Sequence, residues 1–373
     1  MRIVAWLTRV LVLLAVTAVL AEVTVRAWEA ATGRRVALEL AASLDLSESL
    51  YQPHPYVGYV LRPGATSQPG AIPFRVNALG FRGADFAAHK PPRTLRVACL
   101  GGSTTWGGGC SGDAATWPAV LETLLAKALP PGGPWDRVEV INAGVAGYTL
   151  MESFVNFKMR VLPLEPDIAI VYHGINDARV IGRGHFKPDY THVRGPWRIP
   201  LPSAADALLG WSHLYGLVRG GEGERRDLFD VVYTSDFEEL SMSDNIEAGA
   251  QTFARTLQEL VAVARVNGCE PVLTTFTYTE ELPVDRDWML WFGFRTVDRL
   301  NKEAAGVAAY QGVTLVDLRA ELGSDPSLFV DPVHFRDEGN ARFAQVVART
   351  LVDAGLLDGR PKARAVRAPP RRQ

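Results

Sequence analysis

The chain alternates between two hydrophobic rhythms. Short, largely apolar runs at Leu95–Leu100, Val138–Asn142, Ile168–Tyr172, Val272–Phe276 and Val313–Leu318 read as buried strands. Longer segments between and after them repeat their apolar residues every three to four positions. They predict helices over Thr116–Leu129, Met151–Val161, Asn245–Arg265, Arg295–Tyr310 and Asp337–Ala354. Asn245–Arg265 has the strongest pattern: Ile246, Ala250, Phe253, Leu257, Leu260, Val261 and Ala264 share one face, and Ser243 or Asp244 stands where a cap belongs. Strands separated by helices imply a parallel sheet covered on both faces. The expected fold is α/β: a three-layer αβα sandwich around a five-stranded, flavodoxin-like parallel sheet. It carries an N-terminal extension and an insertion after strand three.

The rhythm is absent in four places. In residues 1–35, Arg2 and Arg9 precede an uncharged apolar run, Val10–Ala21, which ends in Val19-Leu20-Ala21 before Glu22. That is the pattern of a signal peptide and its cleavage site. The run is short for a membrane span, although a span forms if Arg9 snorkels and the helix continues past Glu22. The segment therefore reads as a signal peptide or a signal anchor. Either places the rest of the chain outside the cytoplasm, in the periplasm or cell envelope, anchored or secreted. Residues 36–92 are a proline- and glycine-rich extension with turn signals at Tyr51–Tyr56 and Arg62–Gly64. Residues 178–243, with several aromatics and a charged Glu222–Arg226 segment, read as an insertion, a candidate lid or acceptor surface. Residues 359–373 hold six basic residues, three prolines and no further acid, and read as a disordered basic tail. Residues 93–358 are left as the domain that carries the sheet.

Composition narrows the function classes. The chain has 373 residues, 47% hydrophobic and 21% charged, which is enough for a sizeable core. A net charge of −2 gives no argument for nucleic acid. Cys99, Cys110 and Cys269 make no C-x-x-C pair, so neither a disulfide framework nor a zinc or redox site is expected. Cys99 falls in a predicted core strand and reads as a small buried hydrophobe. No cofactor is expected.

The candidate chemistry lies where the predicted strands end. Leu95–Leu100 stops at Gly101-Gly102-Ser103, which puts a hydroxyl just past the carboxyl end of a strand, where open α/β sheets place ligands. Asn142–Thr149 follows strand two, His173–Asp177 follows strand three, and Asp331-Pro332-Val333-His334 follows strand five across a short loop. A serine is a poor nucleophile until a base takes its proton. His334 is the candidate base, and Asp331 is placed to hold its imidazole. The backbone N–H groups of Ser103 and Gly147 and the side-chain amide of Asn176 are candidate donors to an oxyanion. His173 is the competing base and reads instead as a packed neighbour. Asn176 and Asp177 can also be read as turn formers. A phosphate loop is excluded because no lysine follows Gly107–Gly109. The α/β-hydrolase elbow is excluded because Thr105 stands where its second glycine belongs.

These four blocks resemble the SGNH, or GDSL-type, esterase and lipase superfamily. The resemblance covers about residues 93–356. Ser103 matches the Ser of block I, Gly147 the Gly of block II, Gly174-Ile175-Asn176-Asp177 the Gly-x-Asn-Asp of block III, and Asp331–His334 the Asp-x-x-His of block V. Gly102 departs from the pattern, which has Asp there. Glu22, Arg26 and Gly80-Phe81-Arg82-Gly83 are similar to the N-terminal region of exported bacterial members, a likeness that favours a retained anchor. The resemblance implies a serine esterase acting on an acylated small molecule, glycan or lipid, with O-acetyl among the candidate acyl groups. Two alternatives share the pattern: an O-acyltransferase using the same site, and a non-catalytic anchored binding protein.

Overall fold

The computed structural model describes residues 2–32, 50–68, 70–183, 186–193, 204–209, 211–220, 244–283 and 292–359. The expectations for residues 36–49, for Glu222–Arg226, for Ser243 as a cap and for the tail beyond Gly359 lie outside the described residues. The chain divides into two compact units. One comprises Met1–Pro53 and Gly195–Thr234, the other His54–Arg194 and Ser235–Gln373.

In chain order the elements are α1 (Arg2–Thr32), β1 (Thr94–Gly101), α2 (Ser103–Trp106), α3 (Trp117–Ala128), β2 (Arg137–Gly144), α4 (Leu150–Asn156), β3 (Ile168–Tyr172) and α5 (Ile175–Ile181). They continue with α6 (Ala204–Leu209), α7 (His213–Gly220), α8 (Asp244–Val266), β4 (Glu270–Thr274), α9 (Phe294–Gln311), β5 (Thr314–Val316), α10 (Leu318–Leu322) and α11 (Asp337–Asp353).

In the larger unit the five strands just named form one parallel sheet in the order β2-β1-β3-β4-β5, and Gly58–Leu61 is a further strand outside it. Helices α3 and α11 pack together on one face, and α4, α5, α8 and α9 on the other. This is the doubly wound, flavodoxin-like α/β sandwich that the hydrophobic rhythm predicts. Strands β1 and β3 are buried along their whole lengths, so apolar side chains are favoured on both faces. Cys99 is among them, and burial pushes its thiol well above the usual range. Arg96 is the one charge in β1. Its guanidinium is fully enclosed, bound to Glu139 at 2.6 Å and to the carbonyls of Ala87 and Leu164. A buried arginine is tolerated only when its donors are so occupied. Trp117 of α3 stacks on Phe343 of α11 with ring centres 4.4 Å apart.

Two elements go beyond the periodicity. Helix α5 extends to Ile181, over positions that the sequence pattern assigns to the start of the insertion, and buries Ala178, Val180 and Ile181. The stretch between β5 and Asp331 is not a short loop. It holds α10, capped by the Asp317 side chain on the Ala320 amide, and a further turn at Pro326–Leu328. Both helices are too short to show a period.

The register decides where the site forms. Gly101, the last residue of β1, is level with Gly144 of β2 on one side and Tyr172 of β3 on the other. Three loops therefore leave the sheet at one height. They do so where the strand order reverses about β1, the switch point at which such sheets open a crevice.

Candidate active site

Ser103 is the first residue of α2, directly beyond β1 and the Gly101-Gly102 turn. As the first helical residue, its N–H has no acceptor within the helix. The Trp106 amide closes the turn on the Gly102 carbonyl at 2.9 Å, and the Gly107 amide on the Ser103 carbonyl at 2.8 Å. The hydroxyl is thus carried by a single tight turn at the sheet edge.

His334 reaches that hydroxyl from 231 positions away. Its Nε2 lies 2.7 Å from Ser103 Oγ, and its Nδ1 lies 2.7 Å from Asp331 Oδ2. Asp331 Oδ1 accepts from the backbone amides of Val333 and His334, each at 2.9 Å. Partial burial pushes the Asp331 carboxyl up, but the hydrogen bond and charge of His334 and these two amides outweigh it and hold it below its usual range. An ionised Asp331 fixes the tautomer with the proton on Nδ1, which leaves Nε2 to accept from the serine. A hydroxyl so arranged can lose its proton as it attacks a carbonyl.

The other two loops flank Ser103. Val145–Tyr148 is a turn closed by the Tyr148 amide on the Val145 carbonyl at 3.1 Å. Gly147 has φ +81° there, the left-handed conformation that the third position of such a turn demands of a glycine. Asn176 lies in the first turn of α5 and donates from Nδ2 to the Tyr148 carbonyl at 3.0 Å. That bond ties the two loops together. Gly102 is the contact point: a Cβ built on it would stand 2.5 Å from Asn176 Nδ2 and 3.3 Å from the Tyr148 carbonyl oxygen. A side chain at Gly102 would therefore have to displace the Asn176 amide. The structure joins Ser103, His334 and Asp331 by hydrogen bonds, while Asn176 abuts Gly102 and bonds to the turn that holds Gly147.

A sequence model of the GDSL-like lipase/acylhydrolase family matches residues 99–342, more than half of the chain. The chain belongs to this family. It is a hydrolase that acts on ester bonds. Solved structures similar to it include a lipolytic protein of the G-D-S-L family from Desulfitobacterium hafniense, with 15% identity, a TM-score of 0.41 and coverage of 69% of this chain and 99% of that one. A lipase/acylhydrolase from Enterococcus faecalis has 17% identity, a TM-score of 0.42 and coverage of 69% and 96%. The acetylxylan esterase Axe2 from Geobacillus stearothermophilus has 18% identity, a TM-score of 0.42 and coverage of 69% and 94%. No curated protein sequence matches the chain.

In this hydrolase His173 is buried, and none of its hydrogen bonds reaches Ser103. Its Nδ1 faces Asp177 Oδ2 at 3.7 Å, beyond hydrogen-bond distance, and its Nε2 is unpartnered. Burial alone pushes its pKa down to about 3. Burial pushes Asp177 up to about 7, against the Leu150 amide that donates to its Oδ1 at 2.9 Å. Asp177 therefore ties α5 to the first residue of α4. Among the described residues, no group of three or more His, Cys, Asp or Glu side chains is placed to hold a metal ion.

Sequence reasoning assigns no role in the site to Arg82 or Tyr59. Arg82 is buried, and its Nη1 donates to the carbonyls of Trp106 and Gly107 at 2.7 and 3.2 Å. Its Nε donates to Asp113 at 2.7 Å, and its guanidinium lies 4.5 Å over the Trp106 ring. It thus closes the carboxyl end of the turn that carries Ser103. Tyr59 donates its hydroxyl to the Ala146 carbonyl at 2.6 Å, and the Tyr148 hydroxyl donates back to the Tyr59 carbonyl. The part of the extension in this unit therefore braces both the Ser103 turn and the Gly147 turn. The Gly-Phe-Arg-Gly element was the available signal for Arg82. Nothing in the sequence near Tyr59 pointed to its partner.

Proposed function

We propose that the hydrolase cleaves a carboxylic ester through an acyl-serine intermediate, with Ser103 as nucleophile, His334 as base and Asp331 as its orienter. The unbroken row Asp331–His334–Ser103, with both contacts at 2.7 Å, carries this reading. Ser103 Oγ bonds to the ester carbonyl carbon as its proton passes to His334 Nε2. Charge developing on the carbonyl oxygen meets the Ser103 and Gly147 amides and Asn176 Nδ2. The carbon–oxygen bond to the alcohol then breaks, and the alcohol leaves with the proton held by His334. Water delivers a proton to His334 and its oxygen to the acyl carbon. Ser103 leaves with that proton, and the acid departs. The substrate class that fits is an acylated glycan or lipid outside the cytoplasm, with acetyl as the first acyl group to test.

The second part of the proposal concerns α1. It runs unbroken from Arg2 to Thr32 through the Ala21–Glu22 junction, and is long and apolar enough to cross a membrane. A signal sequence has the same composition; the likeness of Glu22, Arg26 and Gly80-Phe81-Arg82-Gly83 to exported bacterial members is what favours a retained anchor.

The decisive experiment is fluorophosphonate labelling of the full chain in detergent, followed by peptide mapping, beside p-nitrophenyl acetate turnover of Ser103→Ala. We expect the label on Ser103 and loss of turnover in the variant. A label elsewhere, or wild-type turnover without the hydroxyl, defeats the assignment.

A further inference from the structure

The smaller unit joins α1 to the insertion through one carboxylate. Glu22 Oε2 accepts from Ser212 Oγ at 2.8 Å and from the Leu214 amide at 2.9 Å. Its Oε1 accepts from the His213 amide at 2.9 Å and from Arg26 Nε at 2.7 Å. Ser212 Oγ in turn accepts from the Tyr215 amide at 3.1 Å. His213, Leu214 and Tyr215 are the first three residues of α7, whose amides lack intrahelical acceptors. Glu22 and Ser212 together satisfy all three. The same face of α1 continues the contact: Arg26 donates to the Trp211 carbonyl at 3.2 Å, and Glu29 Oε2 meets His213 Nδ1 at 2.5 Å. Glu22, Arg26 and Glu29 fall at i, i+4 and i+7, on one side of the helix.

This contact bears on how α1 can span. The uncharged run Val10–Ala21 covers only about 18 Å at 1.5 Å per residue, short of a hydrocarbon core of about 30 Å. Continuing to Trp28 gives about 28 Å by the same rise, but takes Arg26 to the border of the hydrocarbon and Glu22 about 9 Å inside it. Isolated charges are costly there. Glu22 is not isolated, since Arg26 and the start of α7 surround it, and its side chain is only 15% exposed. The longer span is therefore compatible with Glu22 only while α7 is docked. Around the docked segment the apolar side chains face outward: Trp211 is 67% exposed, Leu217 42% and Trp28 43%. Tryptophans flanking an apolar span are the usual composition of a membrane–water border.

We propose that residues 211–217 lie in the interfacial layer of the lipid bilayer, held to the anchor by Glu22 and Glu29, with Trp211 and Leu217 against lipid. The proposal rests on α1 being a retained anchor. It gives this part of the insertion a definite partner, the bilayer, in place of the lid or acceptor surface read from the sequence.

The test uses the full chain in phosphatidylcholine–phosphatidylglycerol vesicles. Leu217→Cys and, separately, Val12→Cys are labelled with an environment-sensitive fluorophore; the three native cysteines are buried. Nitroxide lipids are the quenchers, placed shallow or deep in the acyl chain, with iodide in the water. We expect Val12 to be quenched by the deep probe. We expect residue 217 to be quenched about twofold more by the shallow probe than by the deep one, as for a segment at the headgroup–acyl border. In Glu22→Gln/Glu29→Gln, residue 217 should become open to iodide while Val12 keeps its depth. If Val12 is quenched but residue 217 answers only to iodide, the interfacial placement is overturned and the anchor stands. If Val12 is not quenched by lipid, the anchor reading fails and takes the proposal with it. Unchanged quenching of residue 217 in the double variant overturns the role of the two carboxylates.

Discussion

The molecule contains two histidine–aspartate pairs at the carboxyl edge of one sheet, and they are opposites. His334 and Asp331 touch at 2.7 Å, partly open to solvent, with two backbone amides on the carboxylate. His173 and Asp177 are both buried and stand 3.7 Å apart, and the Leu150 amide donates to Asp177 alone. In the first pair, hydrogen bonds and charge outweigh burial and the carboxylate stays ionised. In the second, burial wins on both members, leaving a neutral imidazole beside a carboxyl raised to about 7. Residue type alone does not make a base. An imidazole that must take a proton needs a charged partner and room for the resulting cation.

The largest effect should separate the two histidines directly. His334→Gln should lower kcat about 10⁴-fold, as loss of the base from such a triad does. His173→Gln should lower it by less than about tenfold, within what a packing change beside a site can produce. Comparable losses in p-nitrophenyl acetate kinetics, with both variants folded by circular dichroism, would erase the distinction.

The next effect locates what the His173–Asp177 segment does contribute. Asn176 lies between those two residues, and its amide is wedged between Gly102 and the Tyr148 carbonyl. Asn176→Ala should cost kcat about 10²–10³-fold, the usual toll for one oxyanion donor. Gly102→Ala should move the same amide and lower kcat in the same direction, by about tenfold or more for a misplacement of this kind. Full kcat in both variants would take Asn176 out of the oxyanion site.

The smallest effect concerns stability. Between about pH 3.8 and 6.5 the unfolded pair binds one proton, on the histidine, and the folded pair also binds one, on the aspartate. Wild-type stability should therefore be flat with respect to this pair over that window. Asp177→Asn leaves a histidine that is neutral when folded and charged when unfolded, so the unfolded state binds more protons. Stability relative to wild type should then rise with pH by at most about 1.4 kcal/mol per unit. His173→Gln leaves an aspartate that keeps its proton up to about pH 7 only in the folded state. Relative stability should then fall as pH rises through the same window, with the same limiting slope of about 1.4 kcal/mol per unit. Urea midpoints at pH 4.5, 5.5 and 6.5 would show this. A flat profile in both variants would mean that each group keeps its charge in the folded protein.

Much of this arrangement is legible in the sequence. Ile168–Tyr172 is apolar throughout and is a strand over those same residues; the 3.6-residue pattern of Asn245–Arg265 extends by one residue at each end in α8. Burial dictates such patterns, so they are written locally. Helices α5 and α10 were not legible because five to seven residues give no period. The close approach of Gly102 to Asn176 was not legible either, because the two stand 74 positions apart.

The sequence by itself determined the order of strands and helices, the residues collected at their ends, and the apolar N-terminal run. These follow from composition and spacing, which act over a few turns. Only the tertiary structure decided which histidine faces the serine. It alone showed that Arg82 and Tyr59 brace the turns of Ser103 and Gly147, and that Glu22 meets the first amides of α7. Each of these is a contact between residues tens to hundreds of positions apart. The free energies that set it, desolvation against hydrogen bonding, exist only once the chain has closed around the groups.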